Sequence, residues 1–128
     1  MRCQLWPHQS ADEHRSEIER YPADGAIFVA EGDQTGPIGF VEMSIRNYAE
    51  GCDSDRVAYI EGWYVEPDFR GRGVGRALVD AVEEWARSRG LTEIASDAQI
   101  DNLDGIRAHR ALGFDEVERT VCFAKKLT

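Results

Sequence analysis

Seven consecutive residues, Arg70-Gly71-Arg72-Gly73-Val74-Gly75-Arg76, place three glycines and three arginines directly after a run that reads as a β-strand. Glycine lets backbone amides approach an oxyanion closely, and a helix beginning at this point adds unpaired first-turn donors and the positive end of its dipole. The arginines add charge-assisted hydrogen bonds. Such a stretch suits the grip of a diphosphate; the alternative is a glycine-rich turn with surface arginines. Spacing excludes two nucleotide motifs. A P-loop would end in Gly-Lys-Ser or Gly-Lys-Thr where this chain has Gly75-Arg76-Ala77, and a dinucleotide fingerprint needs a third glycine that does not follow Gly71-x-Gly73-x-Gly75.

Other reactive side chains narrow the chemistry. Cys3, Cys52 and Cys122 are odd in number and widely spaced, which argues against a disulfide framework and fits a reducing compartment. With His8, His14 and His109 they form neither a C-x-x-C nor a paired-histidine helix motif, so no metal site is expected. Lys and Arg total 15 against 24 Asp and Glu, a formal net charge of -9. That balance opposes nucleic acid as a partner and permits a cationic one, while also serving solubility. Ala26 to Ala30, the longest apolar run, is far too short to span a bilayer, and Met1 to Pro7 lacks the regions of a signal peptide. A soluble cytoplasmic protein without membrane partners is expected.

The elements that must position these residues follow from periodicity. The 128 residues are the size of one compact domain, read as spanning 1–128. Ser10-Ala-Asp-Glu13 has capping-box spacing and predicts a short polar helix over Ala11 to Arg20, ended by Pro22 and Asp24-Gly25. Ala26 to Glu31 and Pro37 to Arg46 read as strands around a hairpin loop, and Val57 to Val65 as a third strand. From Val74 to Arg89, Val74, Leu78, Ala81, Val82, Trp85 and Ala86 recur at helical spacing until Gly90. A short strand at Glu93 to Asp97, a helix near Asn102 to Leu112 and a final strand at Glu116 to Lys126 complete the order. This is an α+β or α/β domain, one sheet carrying helices on its faces.

Val65-x-Pro67-x-x-Arg70-Gly71-x-Gly73-Val74-Gly75 resembles the acetyl-coenzyme A signature of the GNAT N-acetyltransferases. Asn102 to Phe114, an asparagine-led helix ending in Leu-Gly-Phe, resembles the same family's second motif. Leu5 to Pro7, Ser44 to Ser54, Glu61 to Val65, Ala95 to Asp97 and Ala111 to Arg119 are similar to the bacterial aminoglycoside 6'-N-acetyltransferases of that family. The resemblance implies the GNAT fold, a central mixed β-sheet flanked by helices, with acetyl-CoA as co-substrate. The main chain at Trp63, Tyr64 and Val65 would then pair with the pantetheine arm, Arg70 to Arg76 would hold the diphosphate and Asn102 would contact the coenzyme. The substrate-side positions match Trp6, Tyr48, Glu61, Asp97 and Glu118.

Some of these assignments can be weighed physically. Period-two alternation groups Glu61 with Tyr59 and Trp63, so burial beside aromatic rings is expected to raise its pKa and suit it to general-base work. Asp97 ends the adjacent strand, and the two carboxylates make an amine-binding pair; the alternatives are an ion pair with an arginine for Glu61 and a helix cap for Asp97. Alone, Tyr48 and Glu118 would read as surface residues, and Trp6 beside Pro7 as a core staple. His109 stands where many relatives carry a tyrosine that protonates the leaving thiolate, with packing as the alternative.

The resemblance thus implies direct attack of a carboxylate-held amine on the acetyl thioester, without an acyl-enzyme and without a cysteine nucleophile. An amine with a pKa of about 10.4 is neutral in roughly one molecule in a few thousand at pH 7, so deprotonation must be favoured. Three readings compete: an aminoglycoside enzyme conferring antibiotic resistance, an acetyltransferase of another amine such as a polyamine or peptide, and a non-catalytic acetyl-CoA-binding module. Glu61, Asp97 and Glu118 favour the first over the second. The aminoglycoside enzymes carry a strand and most of a helix before the Leu-Trp-Pro segment, which here begins at Leu5. The usual first strand is therefore expected to be missing, leaving Ala26 to Glu31 as an open edge that favours a homodimer.

Overall fold

The computed structural model describes residues 25–32 and 36–128 in full and residues 3–7 as backbone. The helix expected over Ala11 to Arg20, the hairpin tip at 33–35 and the side chain of Trp6 lie outside the described residues. The chain divides into two compact units, Met1–Asp97 and Ala98–Thr128.

Five strands form the sheet of the first unit: β1 (Cys3–Pro7), β2 (Ala26–Gly32), β3 (Gly36–Arg46), β4 (Val57–Val65) and β5 (Ile94–Ala95), arranged in that order. The first three pairings are antiparallel and β4–β5 is parallel, so the sheet is mixed as expected. The open edge expected at Ala26 to Glu31 is not there. β1 pairs along β2, with Trp6 opposite Val29, and satisfies that edge's backbone groups.

β3 buries Val41 and Met43, an alternation that turns one face of the sheet inward, and Ile38, the residue skipped where the β2–β3 register shifts between Ala30 and Glu31, is buried out of that phase. Its ladder with β4 slips once: Glu42 pairs with Gly62 and Met43 with Ile60, which makes Glu61 the extra residue of a β-bulge. A bulge kinks the strand and re-aims side chains, so strict alternation stops at Glu61.

Helix α1 (Val74–Ser88) packs against β1 to β4. It buries Val74, Leu78, Val79, Val82, Trp85 and Ala86. Each large apolar side chain so covered contributes about 1.5–3 kcal/mol. The helix closes through Gly90, whose N–H donates to Arg87 O at 3.0 Å while the Leu91 N–H reaches Ala86 O at 3.0 Å.

The second unit holds α2 (Leu103–Ala111). Asn102 is its N-cap: Oδ1 accepts from the Gly105 N–H at 3.0 Å. A Cβ on residue 105 would lie 2.5 Å from Asn102 Nδ2, so the cap and the glycine belong together. Asn102→Ala is expected to cost about 1 kcal/mol of stability in urea titration.

The final strand expected at Glu116 to Lys126 does not form. Residues 114–128 carry no regular structure, and Val117, Val121, Phe123 and Leu127 are 60–91% exposed. A strand requires a neighbouring edge for its backbone groups, and this unit contains no other strand among the described residues.

Candidate active site

β4 provides the backbone of one half of the site. β5 pairs only with Ala58 and Tyr59, so from Ile60 to Val65 the strand has no β-neighbour on that side among the described residues. An extended chain can add there by main-chain hydrogen bonds. The strand ends in a short 3-10 turn, Pro67–Phe69, anchored by the Glu66 N–H on Ile38 O at 2.8 Å.

The glycine loop follows. Gly71 and Gly73 have φ of 76° and 85°, the left-handed region in which a side chain is strained, and nothing lies within 4 Å of where a Cβ would be. Gly73 is the N-cap of α1 and brings no side chain to the first turn, so the helix end can accept an anion. Arg70 Nε donates to Val65 O at 2.8 Å, bracing the loop against the strand it leaves. Arg70, Arg72 and Arg76 are exposed around it. The open backbone at the glycines, the cationic rim and the bare strand edge fit a diphosphate joined to an extended arm. Trp63 departs from its expected grouping: its ring lies against α1, 3.1 Å from where a Cβ on Gly75 would sit, because the bulge changes the face it points to.

The acidic half is organised by residues that spacing did not single out. Arg46, the last residue of β3, binds Glu61 through two nitrogens, Nε to Oε2 at 2.8 Å and Nη2 to Oε1 at 2.6 Å. Ser44 Oγ donates to Oε2 at 2.6 Å. The expected rise in the Glu61 pKa is overturned. The Arg46 hydrogen bonds hold its carboxyl below the ordinary value, outweighing burial, and Ser44 acts the same way. The Arg46 guanidinium also lies 3.6 Å from the centre of the Tyr59 ring. Tyr59 OH donates to Asp97 Oδ2 at 2.6 Å, and burial followed by that bond raises the phenol well above its usual value.

Glu61 and Asp97 are thus brought together through Arg46 and Tyr59, each carboxyl accepting from its donor. Asp97 lies two residues beyond β5 and caps no helix. Tyr48, 67% exposed, stands in the next loop and shares an open depression with Ile45, Arg46, Asn47 and Arg56. The arginine partner was one of two readings of Glu61 in the sequence, but nothing local named Arg46: its register opposite Val57 puts it four residues from Glu61.

The remaining expected residues lie in the second unit. His109 Nδ1 is 2.6 Å from Gly105 O, and because a carbonyl only accepts, Nδ1 carries the proton. The ring meets Phe114 edge-on. Asn102 spends its side-chain oxygen on the helix cap described above. Glu118 is exposed in the irregular segment, without the strand expected to carry it.

Residues 1–114 match the model of the Acetyltransferase (GNAT) family. An aminoglycoside N(6')-acetyltransferase type 1 of Klebsiella aerogenes is 48% identical over 132 residues, covering 99% of this chain and 87% of its own. One of the same description from Stenotrophomonas maltophilia is 42% identical over 130 residues, covering 99% and 84%. Among solved structures, AAC(6')-Iy in complex with the bisubstrate analog CoA-S-monomethyl-acetylneamine superposes with a TM-score of 0.87 at 32% identity, covering 99% of this chain and 100% of its own.

Proposed function

Because the chain belongs to the GNAT acetyltransferase family, we propose that it is an acetyl-CoA-dependent aminoglycoside 6'-N-acetyltransferase, a single domain moving acetyl to the 6'-amine of an antibiotic by direct attack. The observation that carries this reading is the union of a diphosphate-fitting glycine loop with two carboxyl groups, Glu61 on β4 and Asp97 just beyond the neighbouring β5.

Acetyl-CoA supplies the activated acetyl thioester. Gly71, Gly73 and the first turn of α1 offer main-chain donors to its diphosphate, flanked by Arg70, Arg72 and Arg76, and the free edge of β4 at Trp63 to Val65 aligns its arm. A β4 amide polarises the thioester carbonyl. On the amine side, Glu61 is too strongly held as a carboxylate to be a good base, so its part is to anchor the ammonium form. Asp97, fixed by Tyr59, relays the proton outward through water before attack. Tyr48 forms a wall for the sugar. Trp6 and Glu118 keep the substrate-side roles implied by the resemblance, Asn102 a coenzyme contact, and His109 the return of a proton to the departing thiolate.

Thiol release tests the reading directly. Purified protein with acetyl-CoA should liberate free thiol when kanamycin or tobramycin is added. Silence with both and turnover of spermidine or a peptide amine would reject it in favour of a different acceptor, and coenzyme binding without any turnover would leave a binding module.

A homodimer is proposed on a feature other than the one expected, since β1 covers the β2 edge. Val121, Phe123 and Leu127 are 76%, 91% and 89% exposed on one irregular segment, an arrangement a second copy would cover. Phe123→Glu should shift the light-scattering mass from dimer to monomer; an unchanged mass would place the dimer contact elsewhere. A cytoplasmic location is proposed with it, supported by unpaired thiols at Cys52 and Cys122. No helix among the described residues is long and apolar enough to cross a membrane.

A further inference from the structure

We infer that Glu93 is a positioning residue for the acceptor side of the site, acting through the loop that carries Tyr48; this rests on the aminoglycoside reading above. Glu93 precedes β5 and is named by no motif. Its Oε1 accepts the Asp53 N–H at 3.0 Å and the Ser54 N–H at 2.8 Å, and takes the Ser54 hydroxyl as well. Oε2 shares the Asp53 N–H at 3.2 Å. A carboxylate accepting several donors stays ionised, and its pKa lies below the ordinary value chiefly through Ser54.

The same residue holds the chain at a second point, because its carbonyl accepts the Ala58 N–H at 3.2 Å at the start of β4. Between these anchors the loop is pinned from inside. Ala49 is buried with Val57 and Tyr59, Cys52 and Ala95 pack on that cluster, and the Cys52 N–H turns back to Ala49 O at 3.1 Å.

What the anchors leave exposed is the arm from Arg46 to Tyr48, which holds Glu61 at one end and walls the depression at the other. Asp97 stands on the far side of β5 from Glu93, bound to the same Tyr59 that packs under the loop. Loop wall and Asp97 wall therefore both start from Glu93. β5, which follows Glu93, joins β4 only at Ala58 and Tyr59, at the opposite end of that strand from Trp63 to Val65 and the glycine loop, so an acceptor-specific effect is expected.

Glu93→Ala and Glu93→Gln are to be compared by steady-state kinetics and by hydrogen exchange. A glutamine retains one acceptor oxygen where the amide N–H groups converge, whereas alanine retains none. For Glu93→Ala, KM for kanamycin should rise about tenfold, since small displacements of a positioning wall are costly, while KM for acetyl-CoA and kcat stay within about twofold. Glu93→Gln should recover most of the loss. Amides 53 and 54 should exchange faster in the alanine variant, with α1 still protected.

Equal increases in both KM values, or lost protection in α1, would reduce Glu93 to a general structural role and overturn the inference. An unchanged kanamycin KM despite faster exchange at 53 and 54 would overturn it too. If the unaltered protein turns over no aminoglycoside, the activity itself fails and takes the acceptor role with it, whereas the exchange data still read the Glu93 anchor.

Discussion

Glu61→Gln should lower kcat/KM for kanamycin about 10- to 100-fold, with most of the loss in KM, because a cation anchor is removed from a site that still contains Arg46. The magnitude follows from the bonds lost. Hydrogen bonds to charged groups contribute about 1.5–3 kcal/mol, and the Glu61 side chain is 30% exposed, so screening trims the figure to about 1–3 kcal/mol. The distribution between constants is the deciding observation. A fall in kcat with KM unchanged would make Glu61 a base rather than an anchor.

Its pH behaviour separates the two roles again. The Arg46 pair lowers the folded-state pKa of Glu61 below its unfolded value, so the stability it contributes is fully present above about pH 4.3 and is lost as pH falls through the folded pKa. Activity between pH 5 and 8 should therefore show no limb from Glu61. In Arg46→Ala the carboxyl returns toward its ordinary value, the stability lost below about pH 4.3 shrinks, and an acid limb moves upward in kcat/KM. Urea midpoints and rate profiles across that range check both signs.

How much of this was legible in the sequence depends on the range over which each feature is decided. Helix α1 and the glycine loop were readable because their causes are local: apolar residues at helical spacing, and glycines where φ must be positive. The three long central strands were readable for the same reason, through β-branched runs and turn residues. The bulge at Glu61 was not, since it is a property of how β3 and β4 slide past each other and neither strand encodes it alone. That slip is what turned Trp63 onto α1 and left Glu61 to Arg46. The final strand failed in the opposite direction. Glu116 to Lys126 has a strand's composition, but a strand also needs an edge to join, and composition carries no information about that. Asn102 shows local chemistry with two readings, where the residue thought to contact a coenzyme also caps its own helix.

Gly73→Ala should weaken acetyl-CoA binding by up to about tenfold and lower stability, the two losses together totalling about 1–2 kcal/mol. Residue 73 has φ of 85° with open space around a would-be Cβ, so the conformation is the cost and crowding in the free protein is not. If the variant keeps the left-handed turn, the strain appears as lost folding stability. If the loop relaxes instead, the turn must be rebuilt around the diphosphate, and the same free energy moves into the dissociation constant. Urea titration and calorimetry together therefore measure one quantity divided between two equilibria. Gly73→Asn tells strain from obstruction, because asparagine tolerates the left-handed region better than alanine. Should strain dominate, the asparagine variant recovers both losses in part; should a side chain merely block the anion, it recovers stability and binds no better than alanine. Full affinity and full stability in Gly73→Ala would mean that this turn neither needs its glycine nor presents its amides to the coenzyme.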